Sequence, residues 1–306
     1  MHIDWALALA GAGVGFIVGL TGMGGGALMT PILVLVFGIQ PLAAVSSDLV
    51  ASMIMKPIGG GVHLRRGTVN LHLVKWLVLG SVPSAFASVW VLEHLGDPAR
   101  VNTIVQYSIG VALLLASVAL VAKGAFSGRR RVVGSAHEIQ IRPLRTVLIG
   151  VFGGVVVGLT SVGSGSLMMI LLMLLYPTLA ASELVGTDLV QAIPLVAAAA
   201  FGHILFGKVQ FDVTTSLLVG CIPGVYLGAR VSSRSPDHVI RPILAVVLIV
   251  SGLKMLKVPT PMVGGIAAAL VLGAVVMVLV RRHDGHLAPE GPELDPGLAP
   301  DPVPRS

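Results

Sequence analysis

Apolar residues run along this chain in long unbroken stretches rather than in alternation. They cover roughly 5–37, 42–62, 73–93 and 101–122, then 144–176, 183–205, 212–230, 239–257 and 261–280. A helix needs about 20 consecutive apolar residues to cross the hydrocarbon core of a bilayer. Continuous rather than alternating hydrophobicity argues against a transmembrane β-barrel. The pattern predicts an all-α polytopic membrane protein. Two stretches, 5–37 and 144–176, are too long for one ordinary span. Each is cut near its middle by glycines: Gly22, Gly24, Gly25 and Gly26 in one, Gly163 and Gly165 in the other. Each is expected to form two short helices around an unwound turn, as a broken pair or a re-entrant hairpin. Such backbone is tolerated at membrane depth only where it faces protein or a wet cavity.

The landmarks recur. Gly19-Leu20-Thr21-Gly22-Met23-Gly24-Gly25-Gly26 returns as Gly158-Leu159-Thr160-Ser161-Val162-Gly163-Ser164-Gly165, and Val45-Ser46-Ser47-Asp48-Leu49-Val50 as Val185-Gly186-Thr187-Asp188-Leu189-Val190. His63, Gly67 and Val69 return as His203, Gly207 and Val209, and Gly80 with Pro83 as Gly220 with Pro223. Two related halves in an apolar chain point to a secondary transporter, with its site between them.

Basic residues orient the segments, because cytoplasmic loops carry an excess of Lys and Arg. The linker 123–143 holds Lys123, Arg129, Arg130, Arg131 and Arg142 and is expected in the cytoplasm. The loop of Arg65, Arg66 and Lys75 then falls inside, as do Arg230, Arg234, Arg241, Arg281 and Arg282. Arg100, Lys208, Lys254 and Lys257 fall outside. The loop after His63 is thus inside and its counterpart after His203 outside, so the two repeats are expected to have inverted topology. The expected organisation is a first repeat over 1–122, the linker, a second repeat over 144–257 and an extra span over 258–282. A Pro-rich acidic tail over 283–306 cannot bury enough apolar surface to order itself. The start, Met1-His2-Ile3-Asp4-Trp5, lacks the cationic region of a cleavable signal peptide, so the first segment is expected to be retained.

Composition agrees. Of 306 residues 55% are hydrophobic and 11% charged, against roughly 25% charged in a soluble domain. The net charge of +6 sits beside the spans rather than in a patch, which speaks against a nucleic-acid partner. The single cysteine, Cys221, excludes an intramolecular disulfide and a cysteine metal cluster. No metal or cofactor is expected.

The glycine motifs are the leading candidates for chemistry. Short helices that begin at a break expose unpaired N–H groups and about half a positive charge. Those at Gly22, Gly24, Gly25 and Gly26, and at Gly163 and Gly165, could cradle an anion. Thr21, Thr160, Ser161, Ser164 and Ser166 add hydroxyl donors without a costly charge. The competing reading is that the glycines only permit close helix crossing. A dinucleotide fingerprint in Gly22–Ala27 would need a soluble βαβ unit, for which the chain offers no strand. Lys56 lies mid-span before Pro57, where the other half has Val196. A buried cation there should face the bundle interior and could hook an anion, unless it snorkels. Asp48 and Asp188 are matched acids, either helix-dipole partners or coupling groups. His63 and His203 fall at helix ends on opposite membrane faces, as caps or as proton-sensitive gates.

These residues resemble the sulfite exporter TauE/SafE family of membrane transporters. The resemblance rests on Gly-Leu-Thr-Gly-x-Gly-Gly-Gly, Thr30-Pro31, the Asp48 helix, His63-x-x-x-Gly67-x-Val69 and Gly220-x-x-Pro223-Gly224, over about residues 8–257. It implies export of sulfite, sulfoacetate or a related organosulfur anion across the cytoplasmic membrane by a non-enzymatic carrier. Two other readings compete: a proton- or cation-coupled carrier of another small solute, and an intramembrane serine hydrolase using Ser164 and His203. The second is disfavoured because the residue matching Ser164 is Gly25.

Overall fold

The computed structural model describes residues 3–21, 25–127, 140–165, 167–206, 209–231, 237–270 and 272. Among them the regular elements are helices: α1 (Trp5–Thr21), α2 (Gly26–Leu35), α3 (Pro41–Arg65), α4 (Leu71–Glu93) and α5 (Pro98–Ser127), then α6 (Pro143–Thr160), α7 (Leu167–Leu175), α8 (Ala181–Phe206), α9 (Phe211–Val231) and α10 (Asp237–Met255). A further helix, α11, covers Thr260–Leu270. One compact unit runs to Ala267 and a second begins at Ala268. By length and apolar composition α4, α5, α6, α8 and α9 can each cross a membrane.

Local chemistry sets the boundaries. Asp4 Oδ1 accepts from the Ala6 and Leu7 amides at the start of α1. The Asn70 side chain accepts from the Leu73 amide at the start of α4, and Asp97 serves Ala99 before α5. Pro143 opens α6, where its missing N–H costs nothing. Ser161 closes that helix in the left-handed region at φ 58°, its N–H reaching the Val157 carbonyl. Pro57, Pro83, Pro194 and Pro223 lie inside helices, which neighbouring helices make tolerable in a bundle.

Each long apolar stretch carries two helices, as the glycines predict. In the first α1 ends at Thr21 and α2 begins at Gly26, and in the second α6 ends at Thr160 and α7 begins at Leu167. Gly22, Met23, Gly24 and Ser166 lie outside the described residues, as do most of the linker (128–139) and the tail.

Packing follows an exchange rule. In chain order α1–α5 correspond to α6–α10, and α1 packs on α9 while α6 packs on α4. The third helices, α3 and α8, pack on each other, as do the fifth, α5 and α10. Swapping the halves maps this set of contacts onto itself. It holds at single residues too. A methyl group at Gly220 would run into the Ala8 carbonyl, and one at Gly80 into the Val147 carbonyl. Gly11 faces the Leu217 carbonyl and Gly150 the Leu77 carbonyl. Each pair consists of repeat counterparts. Small residues here let backbones touch, which is what holds helices together where lipid removes the hydrophobic drive.

Candidate functional site

The centre is built where the two breaks meet α3. Gly26, the first residue of α2, packs against Ser161 so closely that a Cβ would strike the Ser161 carbonyl. The first break is thereby pressed onto the second. Beyond Ser161 the chain passes through Gly163 at φ 117° and Gly165 at φ 113°, conformations closed to other residues, before α7 begins.

Asp48 lies between these breaks and is buried. Its Oδ2 accepts from Thr30 Oγ1 of α2 at 3.1 Å and from Ser161 Oγ of the second break at 2.7 Å. The sequence offers Asp48 as a helix-dipole partner or a coupling group. Asp48 stands two turns into α3, its hydroxyl partners come from other elements, and Ser47 pairs with the Gln210 backbone. About two turns further along the same helix, the Lys56 ammonium donates to Ser164 Oγ, again at the second break. Both carboxylates, Asp188 and Asp48, act on Lys56 electrostatically. Asp188 is buried on α8, its Oδ1 accepting from Gln191 Nε2 at 3.2 Å. So the second break presents Ser161 to an acid and Ser164 to a base, three residues apart.

Thr21 and Thr160 point elsewhere. Each donates to the carbonyl one turn back on its own helix, Ile17 at 2.8 Å and Val156 at 2.6 Å. Their hydroxyls close the helix ends at the breaks. Beside Asp48, bounded by Val14, Gly25, Ser52 and Cys221, lies a cavity of about 10 Å³, the lower limit for one water. Cys221 is otherwise a packed residue, its thiol donating to the Gly11 carbonyl at 3.2 Å.

The histidines stand in the last turns of α3 and α8, as expected, but in different settings. His203 is fully buried. Its Nε2 is 2.9 Å from the Gly158 carbonyl, which only accepts, so this nitrogen carries a proton. Its Nδ1 is 2.8 Å from Ser46 Oγ. The ring therefore ties α8 to α3 and α6 rather than capping its own helix. His63 is half-buried, with Nδ1 3.0 Å from Thr68 Oγ1. The Ser164–His203 dyad of a hydrolase is not formed, since Ser164 meets Lys56. Gly25, the described counterpart of Ser164, has only Val18 near where a side chain would be.

Two partners escaped the sequence reading, Ser46 and the Thr30 hydroxyl. The only signal for Ser46 was its mismatch with Gly186 in the repeat.

The profile of the family described as "Sulfite exporter TauE/SafE" matches residues 7–255. That span holds both breaks, Asp48, Lys56, Asp188 and both histidines. The chain belongs to the TauE/SafE family. A Bacillus subtilis (strain 168) protein named "Probable membrane transporter protein YjnA" is 40% identical over 259 residues, covering 82% of this chain and 99% of that one. Another from the same organism, "Probable membrane transporter protein YdhB", is 24% identical over 243 residues, 79% and 96% of the two chains. No solved structure matches. As a TauE/SafE protein with several membrane-length apolar helices, the chain is a multi-pass membrane transporter of a small molecule.

Proposed function

We propose that this TauE/SafE transporter exports sulfite or a related small organosulfur anion across the cytoplasmic membrane, binding it where the two breaks meet. The observation that carries this reading is Lys56 on Ser164. The half-buried Lys56 ammonium donates to Ser164 in the segment leading into α7, and the first N–H groups of a helix have no partner within it. Helix ends attract an anion through partial charges, and one lysine adds a full charge at the cost of inserting a single cation. In this role Gly25, Gly26, Gly163 and Gly165 keep side chains away from the anion, and Gly22, Gly24 and Ser166 extend the cradle. Ser161 and Ser164 donate hydroxyls, Thr21 and Thr160 shape the helix ends, and Asp48, Asp188, His63 and His203 serve coupling or gating. The sulfur chemistry of the substrate is supported by the family description alone.

Alternating access would come from the halves being inserted upside-down. The exchange of helix contacts between halves supports a two-fold relation, and the basic loops support its inverted sense. On this reading 258–282 adds a final span and 123–143 lies in the cytoplasm.

Uptake of labelled sulfite, sulfate, thiosulfate and sulfoacetate into proteoliposomes, with and without a pH gradient, tests the substrate. Saturable uptake of at least one sulfur anion is expected, and uptake of none would reject the reading. Single cysteines at Arg66 and Lys208 in a Cys221→Ser background test the topology. Labelling of both from the same side would reject inversion.

A further inference from the structure

We propose that Asp48 takes up one proton with each anion that binds, and that the Ser161 hydroxyl links the two events. This rests on the anion site proposed above. A serine hydroxyl has one proton to donate. In the structure that proton goes to Asp48 Oδ2 at 2.7 Å. An anion at the break can receive it only when the carboxylate gives it up. A protonated Asp48 does so: its own O–H becomes the donor, Ser161 Oγ accepts, and the serine proton turns toward the anion. Ser164 faces no such conflict, because it accepts from Lys56 and keeps its proton available.

The charges around Asp48 require the same event. Among the described residues, Lys56 on α3 and Asp188 on α8 are the ionisable groups that share this centre. α9 contributes only the Cys221 thiol across the cavity, and α2 and the second break contribute the hydroxyls of Thr30 and Ser161. Two carboxylates and one ammonium leave one net negative charge in a medium of low dielectric, which repels an anion. One proton on Asp48 leaves a neutral set. Asp48 is suited to carry it, because the Ser161 hydroxyl that donates to it can reverse and accept. The cavity beside Asp48 admits at most one water, so a proton can reach the carboxylate where an oxyanion cannot.

The step balances simply. A hydronium at the open side gives its proton to the Asp48 carboxylate and leaves water, and the anion fills the break. Release on the other side reverses both. A monovalent anion then crosses with no net charge.

Titration calorimetry of the purified full-length protein with methanesulfonate and thiosulfate tests this. Neither probe changes its own protonation near neutral pH. Repeating each titration in two buffers of different ionisation heat counts the protons taken up. The expected count is close to one per anion, with affinity falling tenfold per pH unit once free Asp48 is ionised. Asp48→Asn should bind with no proton uptake and no pH slope. Ser161→Ala should bind several-fold more weakly, with a proton count below one. Should Asp48→Asn not fold, the wild-type count and slope still decide. Binding by the wild type without proton uptake would overturn the coupling while leaving the anion site standing, and so would undiminished uptake in folded Asp48→Asn. Failure of the folded wild type to bind either probe at any pH would overturn the anion site and the coupling with it.

Discussion

At the α1–α9 contact Gly220 faces the Ala8 carbonyl, and at the α4–α6 contact Gly80 faces the Val147 carbonyl, its repeat counterpart. The polar centres of the same two halves share far less. Asp48 receives two hydroxyls from other elements, whereas the sequence counterparts of Thr30 and Ser161 are Met169 and Gly22, which carry none. Lys56 is matched by Val196, and Ser164 by Gly25. Shape was kept in duplicate because each interface must close without a hydrophobic drive. Charge was not, because a second buried cation would double the insertion cost without adding a second substrate. Fold symmetry and chemical asymmetry are thus separate requirements, and substitutions at matched positions tell them apart.

The largest effects should come at the shared interfaces and should be equal. Gly220→Val and Gly80→Val each drive a side chain into a facing backbone that cannot yield without parting two helices. Both should lose about 3 kcal/mol or more and give little monodisperse protein on size-exclusion chromatography. If one half tolerates its valine, the interfaces are not equivalent.

That equivalence was only half legible in the sequence. The recurrence of Gly80 with Pro83 as Gly220 with Pro223 marked the positions, and the mid-stretch glycines marked both breaks. Which helix each glycine touches was hidden, because the partner lies in the other half. The site shows the same limit. Lys56 stood out because a charge in an apolar span is expensive. Its contact with Ser164 spans 108 residues, and Asp48 with Ser161 spans 113. Nothing local ties Asp48 to Ser161 or Lys56 to Ser164, and only tertiary contact brings each pair together.

At the breaks the halves should respond unequally. Gly26→Ala places a methyl on the Ser161 carbonyl and should abolish transport of labelled substrate in proteoliposomes. Gly25→Ala finds its nearest neighbour, a Val18 methyl, at 3.9 Å and should stay within about twofold of wild type, since that is ordinary contact. Ser164→Val, at the matching position of the second break, should lose about tenfold or more, as removing a hydrogen bond to a charged group costs about 1.5–3 kcal/mol. Equal responses of Gly25→Ala and Ser164→Val would mean that the anion does not favour the second break.

The Lys56 and Val196 pair sharpens the same contrast. Lys56→Met should raise the apparent substrate constant about tenfold, in line with a charge-assisted contact, with protein levels close to wild type. Val196→Ala should leave that constant within about twofold and show mainly as a lower thermal midpoint, the ordinary result of a core truncation. A substrate constant unmoved by Lys56→Met would assign the lysine to snorkelling.

The smallest effects separate the histidines. His203 is fully buried and bonded at both nitrogens, to Ser46 and to the Gly158 carbonyl. His63 is half-buried and held by Thr68 from the loop that follows its own helix. The difference arises at the matched pair Ser46 and Gly186. Where the second half's histidine finds a serine on α3, the first half's finds no side chain on α8. Thr68 fills that gap, because its backbone and hydroxyl lie where a Gly186 side chain would project. Truncating His203 strands an acceptor and opens a void between α3, α6 and α8, so His203→Ala should cost about 2 kcal/mol. His63→Ala should cost well under about 1 kcal/mol, because water can replace the ring. Ser46→Gly, which makes the closed end resemble the open one, should recover part of the gap between them by lowering the stability of otherwise wild-type protein toward that of His203→Ala. Thermal unfolding in one detergent measures all three. Equal losses for the two histidines would show that both helix ends are sealed alike, and that the halves differ only at the lysine and the serines.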